Sequence, residues 1–349
     1  MTSLASGWLI VIFFVAAAAT WVAGVVLSKT TDALDARLGF GDEIGGIILL
    51  AVAGSLPELA ITVSAAAGGN LDLAAGNLIG GIAVQTMVLV LCDLASGPER
   101  PLTFLVGALT PVLEAMLVVL VTAGVMMGAL LPASSAIGGI VNPASIAIVV
   151  VWIVGIYVIN HVRKDPRWRV SMPGSRRGRT HREKRAQHPY SGRSTLRVAA
   201  WFAFGCGVTL VAGVVLELVG NKLADRAGVN GVIFGATVLA VATALPEISS
   251  GIAAVKLGDN ALAIGDIFGG NAFQLCLFLL ADLVAGAPVL TKAGNLNSWL
   301  AGLGIALTAI YAIGVVGRPY KCLWRLGPDS LLALAVFGLG VAGLVALPR

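Results

Sequence analysis

Two segments of the 349-residue chain put a carboxylate where carboxylates are rare. Ala51-Val52-Ala53-Gly54-Ser55-Leu56-Pro57-Glu58 and Ala240-Val241-Ala242-Thr243-Ala244-Leu245-Pro246-Glu247 each set a glutamate directly after a proline, deep inside an apolar run. A charge far from either end of a membrane helix is costly and usually marks function. The proline matters as much as the acid. It has no N–H and clashes with the carbonyl one turn back, so the helix breaks or kinks there. The carbonyls of Ala53 and Gly54, and of Ala242 and Thr243, are expected to lose their normal partners. Freed carbonyls beside a carboxylate are hard oxygen ligands, suited to Na⁺ or Ca²⁺. A plainer reading of one copy is a kink whose glutamate pairs with a buried polar group. Two copies favour a shared oxygen cage.

A second polar stripe follows each glutamate. Asn77, Gly81 and Gln85 are spaced by four, as are Asp266, Gly270 and Gln274, so each set lies on one helical face. Gln85 and Gln274 offer carbonyl oxygens without charge, or else bond one helix to the next. Asp266 reads either as a third carboxylate of the site or as an acid in a wet cavity or at a helix start. Asp93 and Asp282 fall near helix ends and read as markers of the membrane interface. Glu114, behind Pro111, reads as a paired acid of the bundle or as a proton relay.

The elements that carry these residues are membrane helices. The chain is 58% hydrophobic and 12% charged, where a soluble domain carries about 25% charged residues. Its 44 glycines suit close-packed membrane helices. The four cysteines show neither metal-type pairing nor a disulfide framework. All three histidines (His161, His181 and His188) fall in one basic segment, which excludes histidine chemistry inside the membrane. No hydrolase spacing is present either, so an intramembrane enzyme is not the expectation. Twelve Lys/Arg lie between Arg163 and Arg197, against Asp165 and Glu183. Such a block reads as a cytoplasmic loop facing anionic lipid, not as a nucleic-acid surface.

About 20 apolar residues cross a bilayer. By that measure the sequence predicts ten spans, at 7–28, 43–67, 72–95, 102–125, 136–160, 197–219, 230–255, 260–286, 297–316 and 328–347. With the 161–196 segment inside, 19 of the 23 Lys/Arg fall on the cytoplasmic side and both termini fall outside. Shifting the chain by 189 residues aligns it with itself. Val22–Leu27 falls on Val211–Leu216, Leu56-Pro57-Glu58 on Leu245-Pro246-Glu247, Gly80-Gly81 on Gly269-Gly270, Gln85 on Gln274 and Asp93 on Asp282. Two halves of five spans, 1–160 and 197–349, are therefore predicted to enter the membrane from opposite sides. Inverted repeats of this kind build secondary transporters with a site near the midplane.

At Gly54–Leu94 and Thr243–Leu283 the chain resembles the calcium/cation antiporter superfamily, in particular its sodium/calcium exchanger-like members. The resemblance implies an all-α membrane protein that exchanges Ca²⁺ for Na⁺ or H⁺ in a bacterial plasma membrane. It implies inorganic cations and lipid as partners, with no cofactor beyond the transported ions. It makes Glu58 and Glu247 the central carboxylates and Ser55 a hydroxyl ligand. Gly54 and Thr243, and one turn earlier Ala51 and Ala240, become backbone carbonyl ligands. The family usually reads Gly-Thr-Ser-Leu-Pro-Glu and then Gly-Ser-Asn. Here hydroxyls are missing at Ala244, Gly81 and Gly270, which weakens expected sodium sites and makes proton coupling plausible. A monovalent cation/proton antiporter is the alternative.

Overall fold

The computed structural model describes residues 5–38, 52–164, 194–292 and 294–346. Ala51 and most of the basic segment lie outside the described residues. The described residues form helices, with only two isolated β-bridges in loops. The helices are α1 (Ser6–Leu38), α2 (Leu56–Gly68), α3 (Leu71–Ser96), α4 (Thr110–Ala129), α5 (Pro143–Lys164), α6 (Thr195–Ala227), α7 (Gly231–Thr243), α8 (Leu245–Lys256), α9 (Asn260–Gln274), α10 (Leu277–Ala285), α11 (Asn295–Gly317) and α12 (Pro328–Ala346).

Among the described residues, seven helices or helix pairs are long and apolar enough to cross a membrane, with α9 and α10 forming one such span. The count reaches eight if α7 and α8, bent by 45° at Ala244, are one span. Leu56–Gly68 and Pro328–Leu344 are apolar but shorter. The outer surface is rich in large apolar side chains such as Phe14, Leu120, Ile153, Phe204 and Ile313. Exposed apolar area on this scale marks a surface that meets lipid.

The 189-residue offset reappears in the backbone. α6 begins and ends 189 residues after α1, α8 begins 189 residues after α2, and Asn260–Ala285 matches Leu71–Ser96 end for end. The turns match too. Gly69 and Gly258 have φ +77° and +79° just past α2 and α8, and Gly97 and Gly286 have positive φ past α3 and α10. That conformation favours glycine and stops a helix without strain.

Contacts between elements come in reciprocal pairs. α1 lies along α6; α6 packs on α2 while α1 packs on α8. α3 packs on α11 while α9 packs on α4, and α4 meets α5 as α11 meets α12. Two glycines at matching positions explain the first exchange. A Cβ on Gly24 would stand 2.5 Å from Pro246 Cβ and Cγ. A Cβ on Gly213 would stand 2.6 Å from Ala60 Cβ and 3.1 Å from the Pro57 carbonyl. Each long helix therefore touches the proline break of the opposite half. α7 approaches α3 as closely through Gly76 and Gly235, the latter within a single π-helical turn at Gly235–Leu239.

Asp93 and Asp282 do stand near helix ends, and they also hold loops in place. Both are buried at the ends of their helices and act as clamps. Asp93 accepts from Leu102 N at 2.6 Å and from Gly327 N at 2.7 Å. Asp282 accepts from Val289 N at 2.7 Å, Asn142 N at 3.0 Å and Ser145 Oγ at 2.7 Å. Each thus ties the loop after its own helix to the start of the last helix of the other half, α12 or α5. A carboxylate has acceptor sites enough for such convergence, and the sequence position near a helix end hid it.

Two predictions follow from this packing. Gly213→Ala forces α6 away from α2 and is expected to cost about 1–3 kcal/mol. Gly302→Ala, where nothing lies within 4 Å, should be neutral; melting curves in detergent compare the two. Asp282→Ala strands three buried donors and should lower stability by about 2 kcal/mol or more, while transport per folded molecule in proteoliposomes persists.

Candidate cation site

Pro57 and Pro246 cannot donate to the carbonyls of Ala53 and Ala242, so the helical ladder is interrupted on both sides of the pseudo-repeat. α2 and α8 restart immediately beyond, each with its proline and glutamate in the first turn. Glu58 and Glu247 thereby sit at helix N-termini, where backbone N–H groups favour negative charge. Glu58 is 1% exposed, and its Oε1 accepts from Gln85 Nε2 at 3.0 Å. The Thr243 side chain from the other half stands beside the same carboxylate, while its Oγ1 donates to the Ala240 carbonyl at 3.2 Å. Glu247 lies within electrostatic reach of both Glu58 and Asp266. Glu58 Oε2 and Glu247 Oε2 are both buried without a hydrogen-bond partner.

Beside the pair is a cavity of about 50 Å³, room for a few waters or one partly dehydrated cation. Glu247, Asp266, Ser250, Gln85, Gly54 and Ser55 line it. Ser250 Oγ donates to Asp266 Oδ2 at 3.1 Å. Of the residues expected from sequence, Glu247, Gly54, Ser55, Gln85 and Asp266 line this space, while Glu58, bonded to Gln85, and Thr243 beside it stand behind that lining. Gln274 stands apart. Its Nε2 crosses to the Leu78 carbonyl at 2.6 Å, against Gly81, and its buried Oε1 has no partner. The Ala240 carbonyl already accepts from Ala244 N at 3.0 Å as well as from Thr243. Glu114 is half-buried, its carboxylate standing against Gly265, next to Asp266, and its buried Oε2 has no hydrogen bond. Among the described residues, no three His, Cys, Asp or Glu side chains form a metal-binding group. A hard cation here would draw on carbonyl, hydroxyl and amide oxygens as well as on carboxylates.

The two halves differ where chemistry would be done. Asn77 matches Asp266 by the offset, yet Asn77 is fully buried with both amide atoms unpartnered, whereas Asp266 lines the cavity. Glu217 matches Ser28. Ser28 lines the cavity, but Glu217 is fully buried and locked, its carboxylate accepting from Ser64 Oγ and Asn70 Nδ2, both at 2.8 Å. Sequence reasoning missed Glu217. The signal was present, an acid within Val214-Val215-Leu216-Glu217-Leu218-Val219, but a search for repeated pairs passes over a residue whose partner is serine.

The family model described as sodium/calcium exchanger protein matches residues 8–160 and 198–346. The inner membrane protein YrbG of Escherichia coli (strain K12) is 27% identical over 261 residues, 74% of this chain and 72% of the relative. The putative antiporter CaxA of Alkalimonas amylolytica is 24% identical over 266 residues, 76% and 77% of the two chains. In fold, the chain is similar to the H⁺/Ca²⁺ exchanger CAX, with a TM-score of 0.69 at 15% identity over 98% of this chain and 82% of that one. It is also similar to the sodium-calcium exchanger NCX_Mj, with a TM-score of 0.58 at 15% identity over 97% and 98%. With both halves matched, this multi-pass membrane chain belongs to the sodium/calcium exchanger protein family.

Proposed function

We propose that the chain is a secondary active antiporter that exchanges Ca²⁺ for Na⁺ or H⁺ by alternating access, with Glu58 and Glu247 as the central carboxylates. One observation carries the reading: two glutamates at matching proline breaks come within electrostatic reach of one another, each with an unpartnered buried oxygen, and Glu247 lines a small cavity together with Asp266, Gln85 and Ser55. Two carboxylates supply the charge a divalent cation needs, and protons or Na⁺ compete for the same oxygens. A bound Ca²⁺ and a proton on either glutamate then exclude one another, which is the basis of exchange.

In the proposed architecture, ten spans form two inverted five-helix halves, 1–160 and 197–349. The 161–196 segment is cytoplasmic, both termini are outside, and the membrane is a bacterial plasma membrane. The matching helix boundaries and the distribution of Lys/Arg support this arrangement. The further ligands are Ser55, Gly54, Ala51, Thr243, Ala240, Gln85, Gln274 and Asp266. Gln274 offers its unpartnered Oε1; Ala240 is the least free of the set, since its carbonyl is already engaged.

A second reading, a monovalent cation (Na⁺ or K⁺)/proton antiporter, has one observation in its favour. Ca²⁺ takes six to eight oxygens, and Ala244, Gly81 and Gly270 supply no hydroxyl. Proteoliposomes with imposed Ca²⁺, Na⁺, K⁺ and pH gradients separate the two. Calcium movement driven by Na⁺ or ΔpH is expected, and Glu58→Gln and Glu247→Gln should each abolish it while remaining monodisperse. Retained transport in either variant overturns the carboxylate pair. Monovalent flux that follows ΔpH, with no Ca²⁺ movement, establishes the second reading instead.

The missing hydroxyls give a separate prediction. Nothing lies within 4 Å of a Cβ on Gly270, so Gly270→Ser fits and should lower the Na⁺ concentration needed for half-maximal exchange. Gly81→Ser meets Gln274 Nε2 at 2.9 Å and should gain less. An unchanged sodium dependence in Gly270→Ser contradicts the hydroxyl argument.

A further inference from the structure

The cavity has a wall that none of the sequence-derived ligands account for. On α1 it is formed by Gly24, Leu27, Ser28 and Thr31, one helical face, and on α6 by Thr209. Thr209 is fully buried, and its Oγ1 has no hydrogen-bond partner. A threonine inside a helix has an easy remedy, donation to the carbonyl four residues back. Thr30, Thr86, Thr122 and Thr237 all take it. Thr209 does not. Other threonines also lack a partner, but of these only Thr31 and Thr209 line the cavity among the described residues. Thr209 also lies one turn before Gly213, whose contact with Pro57 and Ala60 fixes that part of α6 against the start of α2. Its position relative to the first-half break is therefore set by close packing.

Resting on the antiport reading above, we propose that Thr209 is a further ligand of the transported cation, supplying from α6 a neutral hydroxyl oxygen where Ala244, Gly81 and Gly270 supply none. The argument is one of oxygen count. A hard cation held by carboxylates still needs neutral oxygens to complete its shell. A buried hydroxyl left without a partner loses its solvation and is stabilised by whatever fills that role. A cation in the cavity satisfies both demands at once.

The test uses the full chain in proteoliposomes and compares wild type, Thr209→Ser, Thr209→Val and Glu247→Gln. Valine keeps the shape and removes the oxygen; serine keeps the oxygen. Thr209→Val is expected to raise the apparent KM for the transported cation about tenfold, with the maximal rate per folded molecule changed far less, while Thr209→Ser stays within about twofold of wild type. A merely structural threonine would instead lower the folded fraction and leave KM alone. Thr209→Ala replaces the valine variant if that variant is not monodisperse. Unchanged KM in Thr209→Val or Thr209→Ala, with flux still abolished by Glu247→Gln, overturns this proposal alone. Flux that survives Glu247→Gln overturns the antiport site itself, whatever Thr209 does.

Discussion

Two carboxylates held in an apolar interior dominate this molecule. A buried ion loses its hydration, and a second like charge nearby raises the cost again. Glu58 and Glu247 meet that problem with three devices. Each opens a helix, so backbone N–H groups face it. Each follows a proline, so a carbonyl nearby is freed. Glu58 also accepts from Gln85. These devices reduce the penalty without neutralising the pair, and one oxygen of each remains unpartnered. A site in that condition favours a counter-charge, and in the proposed cycle cations and protons take turns in supplying it.

Helix boundaries recur at one 189-residue offset, but the side chains at matched positions are unequal. Gln85 bonds its own glutamate, whereas its counterpart Gln274 reaches across to the Leu78 carbonyl. Asp266 lines a cavity, whereas Asn77 is sealed in. Ser28 faces that cavity, whereas Glu217 is bolted to Ser64 and Asn70. In each pair the more open member belongs to the same cavity. An exchanger that opened to both sides at once would leak, so a conformation with a cavity along one set of matched positions and close packing along the other suits the proposed mechanism. In the proposed cycle Glu217 carries a cost as well as a use: opening that side would break its two hydrogen bonds, and a buried carboxylate stripped of partners is expensive.

Much of this was legible in the sequence because matching polar residues are rare in an apolar chain. A shared offset of Pro, Glu, Gln and Asp carried the repeat, and the helix boundaries fall on the same offset. Other features were not legible, each for a physical reason. Hydrogen-bond partners depend on which helices become neighbours, so Gln274 and the clamps at Asp93 and Asp282 could not be read from spacing. Glu217 stands alone, its counterpart at the offset being Ser28; Thr209 does fall on Thr20, but a hydroxyl in an apolar helix has several ordinary explanations. Gly24 and Gly213 sit within the matched Val-Ala-Gly-Val-Val-Leu segments, but their partners lie in the opposite half and leave no trace in local sequence.

That crossed contact bears on how a movement of the long helices would reach the ions. Gly24 rests on Pro246 and Gly213 on Pro57 and Ala60, with no side chain between. Backbones this close cannot slide freely; close-packed interfaces shift between discrete arrangements. Any displacement of α1 along α8, or of α6 along α2, therefore acts directly on a proline break, and the break is where the carboxylate and the freed carbonyl are held. Thr209 rides on α6 one turn from Gly213, so the same displacement also moves an oxygen that faces the cavity. In the proposed mechanism, coupling between helix movement and ion release needs no long relay, because the helix contacts and the proposed ligands involve the same few residues.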